Sequence, residues 1–99
     1  MQRWGTMTTR TVKMTAAFKR DLKRERKTDG QIETLLEPIV DVLQVNEKLT
    51  EKFRDHVLTG NWKPCRECHV KPDLLLIYDY PDDETLMLVR LGSHSELKL

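Results

Sequence analysis

An α+β domain is what this sequence predicts: two helices in the first half, packed on a small, mainly antiparallel four-stranded sheet. Residues 16–44 hold two stretches of helical apolar spacing, parted by Thr28-Asp29-Gly30. Residues 62–91 hold three runs rich in Val, Ile, Leu, Thr and Tyr, joined by short turns with Pro and Asp. A further run, Arg10-Thr11-Val12-Lys13-Met14, precedes the first helix and is available to join the sheet. Helices followed by consecutive strands in a chain of 99 residues give one domain over 1–99, in the order β-α-α-β-β-β.

Each element has a local reason. Thr15 is placed to cap the first helix, which runs to about Lys27 with a thin apolar side of Ala17, Phe18 and Leu22. Asp29 or Thr28 can cap the second, over 31–44. There Ile32, Leu35, Leu36, Ile39 and Leu43 share one face, opposite Glu33, Glu37 and Asp41, as expected for a helix packed on a sheet. Pro38 removes a backbone donor inside this helix, so a kink or two shorter pieces is expected. Residues 45–61 read as a long connection with a turn of helix near Glu51. Strands follow over 62–70, 74–80 and 85–91, joined by Lys71-Pro72-Asp73 and Pro81-Asp82-Asp83. Leu74 to Ile77 shows no apolar–polar alternation, the pattern of a strand buried on both faces. Residues 1–6 are expected to be an extension outside the packed domain.

The net charge of +1 conceals segregation. From Arg10 to Lys27 there are eight Lys and Arg against two acids; residues 28–46 carry four acids and no base. Residues 48–73 are basic again, six to four. Two basic blocks suit contact with a polyanion, and they equally suit solvated helix and loop faces. Apolar runs such as 74–77 are far too short to span a membrane, and the N-terminus has no apolar signal-peptide segment, so a cytoplasmic protein is expected.

Cys65-Arg66-Glu67-Cys68-His69 matches a c-type haem attachment pattern, and Cys and His at this spacing also raise zinc. On a strand, however, Cys65 and Cys68 point to opposite faces. Two reduced cysteines in or beside the sheet is the favoured reading, with no metal and no cofactor.

The chemistry gathers in Arg54 to Asp73 and in Gly92-Ser93-His94. These segments hold all three histidines, His56, His69 and His94, together with Asp73, Trp62 and several cations. Imidazole exchanges protons near neutral pH, and cations stabilise a phosphate that is gaining charge. The set suits metal-free cleavage of a phosphodiester bond. For a lone surface histidine the bland reading, a half-buried amphipathic side chain, is the commoner one.

One ordered set of residues joins these segments: Asp55-His56-x-Leu58-x-Gly60-x-Trp62-Lys63, Arg66-x-x-His69-Val70-x-Pro72-Asp73, Leu76-Ile77-Tyr78 and Arg90-x-Gly92-Ser93-His94. In this the chain resembles the YafQ-type toxins of the RelE/ParE superfamily, the toxic halves of bacterial toxin–antitoxin pairs. The resemblance implies a RelE-like fold and a messenger-RNA endonuclease that works on the ribosome and is inhibited by a partner antitoxin. It also implies that His56, His69, Asp73 and His94 are the active residues. His94 is then expected as general acid, His69 or Asp73 as base, and His56 as the member supplied by the long connection. Arg90 and Lys63 are candidates to neutralise phosphate, and so is Arg66, whose face on its strand the sequence leaves open. Two departures stand out: Leu74 follows Asp73 where a relative has an aromatic, and the tail Glu96-Leu97-Lys98-Leu99 lacks the expected phenylalanine. Trp62 reads as core. A ParE-like toxin that inhibits a protein without catalysis, or an inactive antitoxin-binding relative, are the alternatives.

Overall fold

The computed structural model describes residues 9–99. The extension expected over 1–6 lies outside the described residues. Strand β1 (Thr11–Met14) leads into helix α1 (Ala16–Thr28), and α2 (Ile32–Gln44) follows after a short break. Then come β2 (His56–Val57), β3 (Arg66–Lys71), β4 (Leu74–Asp82), β5 (Thr85–Gly92) and a terminal turn of helix, α3 (His94–Leu97). The sheet has five strands in the order β1-β5-β4-β3-β2; β1 runs parallel to β5, and every other pair is antiparallel.

Local chemistry sets the boundaries. Thr15 accepts from the Phe18 N–H at 2.9 Å, capping α1, while its hydroxyl donates to the Val89 carbonyl at 2.7 Å. The same residue therefore starts the helix and pins it to β5. Asp29 accepts from the Gln31 N–H at 2.8 Å at the entry to α2. Arg10, nearly buried, ties three parts together. It donates to Asn46 at 2.9 Å after α2 and to Thr85 at 3.2 Å, and it lies 4.2 Å from the centre of the Tyr80 ring.

Both helices cover one face of the sheet. Phe18, Leu22, Ile32, Leu36, Ile39 and Leu43 pack there on Leu74, Leu76, Tyr78, Leu86, Leu88 and Leu91. A smaller cluster of Leu58, Leu75, Ile77 and Leu97 fills the other face. Leu74 to Tyr78 are all buried, so β4 is the sheet centre that its unbroken apolar run predicts. Removing a Leu side chain from such a strand costs ~2–5 kcal/mol.

Four expectations are corrected. The sheet has a fifth strand, β2, in what reads as connection, because two exposed residues carry no apolar alternation to reveal it. The strand expected from Trp62 begins at Arg66, since Gly60–Trp62 forms a 3-10 turn. The turn expected at Pro81-Asp82-Asp83 falls at 83–84; β4 runs on through Pro81 to Asp82, beside an irregularity in its pairing with β5. Leu35, expected in the buried stripe of α2, is 36% exposed, while α2 itself is a single element that carries Pro38 inside it. The helical turn expected near Glu51 is present at Glu51–Phe53.

Candidate active site

The face of the sheet away from the helices carries the histidines. Across the β2–β3 ladder His56 stands opposite Glu67, and across β3–β4 Glu67 and His69 stand opposite Ile77 and Leu75. Ile77 and Leu75 belong to the smaller cluster, which fixes Glu67 and His69 on that side. Cys68, between them, turns into the helix-side core.

Backbone geometry aims each ring. Arg54 adopts a left-handed φ of 50° as it closes the 3-10 turn, and its carbonyl accepts from His56 Nδ1 at 2.8 Å. Nδ1 must therefore carry the proton, which turns Nε2 toward Glu67 Oε1 at 3.6 Å. His69 Nε2 lies 3.5 Å from the same oxygen. Both distances exceed a hydrogen bond, so they are electrostatic contacts. The Glu67 side chain is 5% exposed between the two rings.

His94 opens α3. Ser93 caps this turn by accepting from the Glu96 N–H at 3.1 Å, while the Glu96 carboxylate accepts from the Ser93 N–H at 2.8 Å, a reciprocal capping box. Leu97, 2% exposed, anchors the turn in the smaller cluster. A Cβ on Gly92 would lie 3.1 Å from Glu96 Oε1 and 3.2 Å from Arg24 Nη2, so the chain passes closest where it has no side chain. Asp73 Oδ1 then accepts from His94 Nδ1 at 2.9 Å and from the His94 N–H at 3.3 Å. These bonds hold the Asp73 carboxyl below its ordinary range. They also leave His94 Nε2 free. The His69 and His94 rings meet edge to face, centres 5.6 Å apart.

The structure thus brings His56, His69, His94 and Asp73 together, and adds Glu67, which the sequence reading passes over. Its signal was present: on a strand, Glu67-x-His69 places both side chains on one face. Asp73 is occupied as the carboxylate that orients His94. Two of the three cation candidates, Arg90 and Arg66, are held by other partners. Arg90 donates to Asp21 at 2.7 Å, in contact with α1. Arg66 stands opposite Tyr78, on the helix side, and reaches Asp55 at 3.3 Å. Lys63 is exposed on the loop between β2 and β3. Trp62 packs against the smaller cluster.

Cys65 and Cys68 are free thiols on opposite sides of the sheet, Cys65 against the smaller cluster and Cys68 in the helix-side core. Burial pushes the Cys68 thiol up to about 12, with the Asp55 and Glu67 carboxylates adding to the shift. They share no ligand position with His69. Glu67, His69 and His94 do offer one donor atom each, all within 4.8 Å of one another. One carboxylate and two imidazoles suit a borderline ion such as Zn²⁺ or Cu²⁺.

Residues 10–99 match the model of the bacterial toxin of type II toxin–antitoxin system, YafQ. The chain belongs to this family. It is the toxin of a type II toxin–antitoxin system. It is 30% identical over 91 residues to the mRNA interferase toxin YafQ of Escherichia coli K12, covering 92% of this chain and 98% of that one. A putative toxin YafQ of Haemophilus influenzae is 43% identical over 54 residues, about half of each chain. Among solved structures, the Escherichia coli DinJ–YafQ complex superposes with a TM-score of 0.79 at 31% identity, covering 89% of this chain and 97% of that one. A metal-bound toxin from Helicobacter pylori gives 0.80 at 46%, covering 88% and 97%. The RelE-like α+β expectation therefore holds, with one strand more than expected. Among the described residues no helix is long and apolar enough to cross a membrane.

Proposed function

We propose that this toxin cleaves messenger RNA on the ribosome by metal-independent acid–base catalysis, with His69 and His94 as the proton-transfer pair. The activity is that of its mRNA interferase relatives. The observation that carries the assignment is the bond from His94 Nδ1 to Asp73, which presents Nε2 outward beside the His69 ring. In the reaction His69 takes the proton of a ribose 2′-OH, and that oxygen attacks the adjacent phosphorus. The bond from phosphorus to the 5′-oxygen breaks, and His94 Nε2 gives its proton to the leaving oxygen. A 2′,3′-cyclic phosphate and a 5′-hydroxyl result. Asp73 and Glu67 act through the rings: Asp73 offsets the charge of protonated His94, and Glu67 holds His69 and His56. Each proton transfer contributes typically ~10²–10⁴-fold.

His94→Ala tests this in cells and on programmed ribosomes. Cleavage should fall by about 10²–10⁴-fold, while the melting temperature and antitoxin binding stay unchanged. Full cleavage by the variant removes the mechanism. Growth arrest without new transcript 5′ ends in the wild type would instead favour a ParE-like inhibitor, and no phenotype an inactive relative.

The Glu67, His69 and His94 donors favour one further reading. A metal ion held there takes the lone pairs on which proton transfer depends, so its chemistry in this site is inhibition. Chelator-treated toxin should cleave at the full rate. Added Cu²⁺ should slow it and bind with reduced affinity to His69→Ala in calorimetry; activity that requires added metal would overturn the metal-free mechanism. For the antitoxin, exposed Lys19, Arg20, Lys23 and Lys27 on α1 favour an acidic segment.

A further inference from the structure

Among the described residues the outer edge of β3 has no strand neighbour past Glu67, because β2 pairs with Arg66 and Glu67 alone. The ladder to β4 shifts register between His69 and Lys71, a bulge of the kind that re-aims side chains beside active sites. A groove of about 720 Å³ opens along this edge, between α2 and the Glu51–Phe53 turn, and His69 is among its lining residues. Its wall is apolar at Leu35, Phe53 and Val70, the last two packed against the helix-side core, and cationic at Lys52, Arg54 and Lys71. Among the described residues no carboxylate lines it. Leu35 leaves the buried stripe of α2 to face this space, and Phe53 is only half-buried.

We propose that this groove holds the nucleotide adjoining the scissile phosphate, its base against Phe53 and Leu35 and its phosphate among Lys52 and Arg54. The assignment rests on the endoribonuclease reading above and extends it to how the substrate is gripped. Lys52 Nζ now lies 5.0 Å from the centre of the Phe53 ring. Its long flexible stem lets the ammonium swing to a phosphate when a base takes that place. Lys71 is already shared with Asp29 at 2.9 Å, so Lys52 and Arg54 carry the charge complementarity. Arg54 also orients His56 through its carbonyl, which links the grip to the catalytic cluster. An aromatic in the groove answers the departures at Leu74 and in the tail. The base-holding ring is supplied from the connection before β2 instead of from the turn after β3.

Single-turnover cleavage of a ribosome-bound messenger, followed against toxin concentration, tests this with Phe53→Leu, Phe53→Trp and Leu35→Glu. Phe53→Leu keeps the apolar packing and should raise the half-saturating concentration about five- to hundredfold, the loss of one stacked base at ~1–3 kcal/mol. The rate at saturation should hold. Phe53→Trp should restore affinity, and Leu35→Glu should weaken it without lowering the melting temperature, since its side chain is exposed. Wild-type concentration dependence in both Phe53→Leu and Leu35→Glu overturns the groove, as does a loss confined to the saturating rate. Protection of the groove from amide exchange by the antitoxin with no change of RNA affinity in these variants would make it an antitoxin seat and also overturns it. His94→Ala keeps the two readings apart: if it abolishes cleavage while the groove variants behave as wild type, the ribonuclease stands and the groove proposal falls.

Discussion

Two carboxylates, Asp21 and Glu67, are each about 4% exposed, one on either side of the same sheet. Asp21 is met by permanent cations and a backbone donor: Arg90 at 2.7 Å, Arg24 at 3.1 Å and the Leu91 N–H at 3.0 Å. Glu67 is met by two imidazoles, both beyond hydrogen-bond reach. A buried carboxylate with fixed cations on every side can only hold structure in place. One whose partners gain and lose protons can take part in a reaction. The difference separates the scaffold from the site more sharply than burial does.

Breaking the scaffold side should give the larger effect. Asp21→Ala leaves Arg90 and the Leu91 N–H without their partner, and stranding one half of a buried pair costs ~3–5 kcal/mol. Denaturant unfolding should show that loss, while toxin still folded at low temperature should cleave at the wild-type rate. A similar drop in cleavage by folded protein would place Asp21 in the reaction and erase the contrast.

The same contrast has a pH signature. Burial raises the Asp21 carboxyl, but the hydrogen bonds from Arg90 and Leu91 and the charges of Arg90 and Arg24 outweigh it, leaving the folded value below the ordinary 3.8. A depressed folded value contributes stability that is present above the unfolded value and lost as pH falls through the folded one. Wild-type melting temperature should therefore fall as the pH drops below the ordinary carboxylate range, and Asp21→Asn should flatten that part of the fall. An equal slope in both proteins would mean that Asp21 is not the group being titrated.

Glu67→Gln should act the other way. The amide keeps the volume and removes a charge whose partners are neutral whenever the imidazoles are, so stability should stay within ~1 kcal/mol of wild type or rise. Cleavage should fall about tenfold, a fraction of a full proton-transfer contribution, with the saturating rate carrying the loss. A changed affinity for the messenger with an unchanged saturating rate would assign Glu67 to binding.

How much of this the sequence held follows from the period of each pattern. Helix α2 and the buried β4 are read directly, because Ile32, Leu36, Ile39 and Leu43 repeat at helical spacing and Leu74 to Tyr78 form an unbroken run. The grouping of His69, Asp73 and His94 is legible as a candidate because they fall in short segments that match the family pattern, and the structure sets them side by side. Glu67 is passed over because its meaning depends on β2, and a two-residue strand leaves no period to detect. Arg90 carries a similar ambiguity: its charge is legible, but its partner Asp21 is 69 residues away on α1. Leu35 shows the reverse case, an apolar residue at core spacing that lines a groove instead.

Ser93→Ala gives the smallest and most local effect, and it tests whether the two sides are mechanically joined. Losing a helix cap costs typically ~1 kcal/mol, but α3 is a single turn at the chain end and can fray without global unfolding. Arg24 on α1 also reaches Glu96 at 3.4 Å and the Leu91 carbonyl at 2.9 Å, so the scaffold side steadies the base of α3 from behind. The variant should therefore melt within a degree or two of wild type, on the order of what local fraying permits, while the Leu97 amide exchanges about fivefold faster, the equivalent of ~1 kcal/mol. Cleavage should fall by a similar small factor, because a frayed α3 holds His94 away from Asp73 for part of the time. If exchange quickens and cleavage does not change, the Asp73 bond alone aims His94, and the capping box serves only to finish the fold.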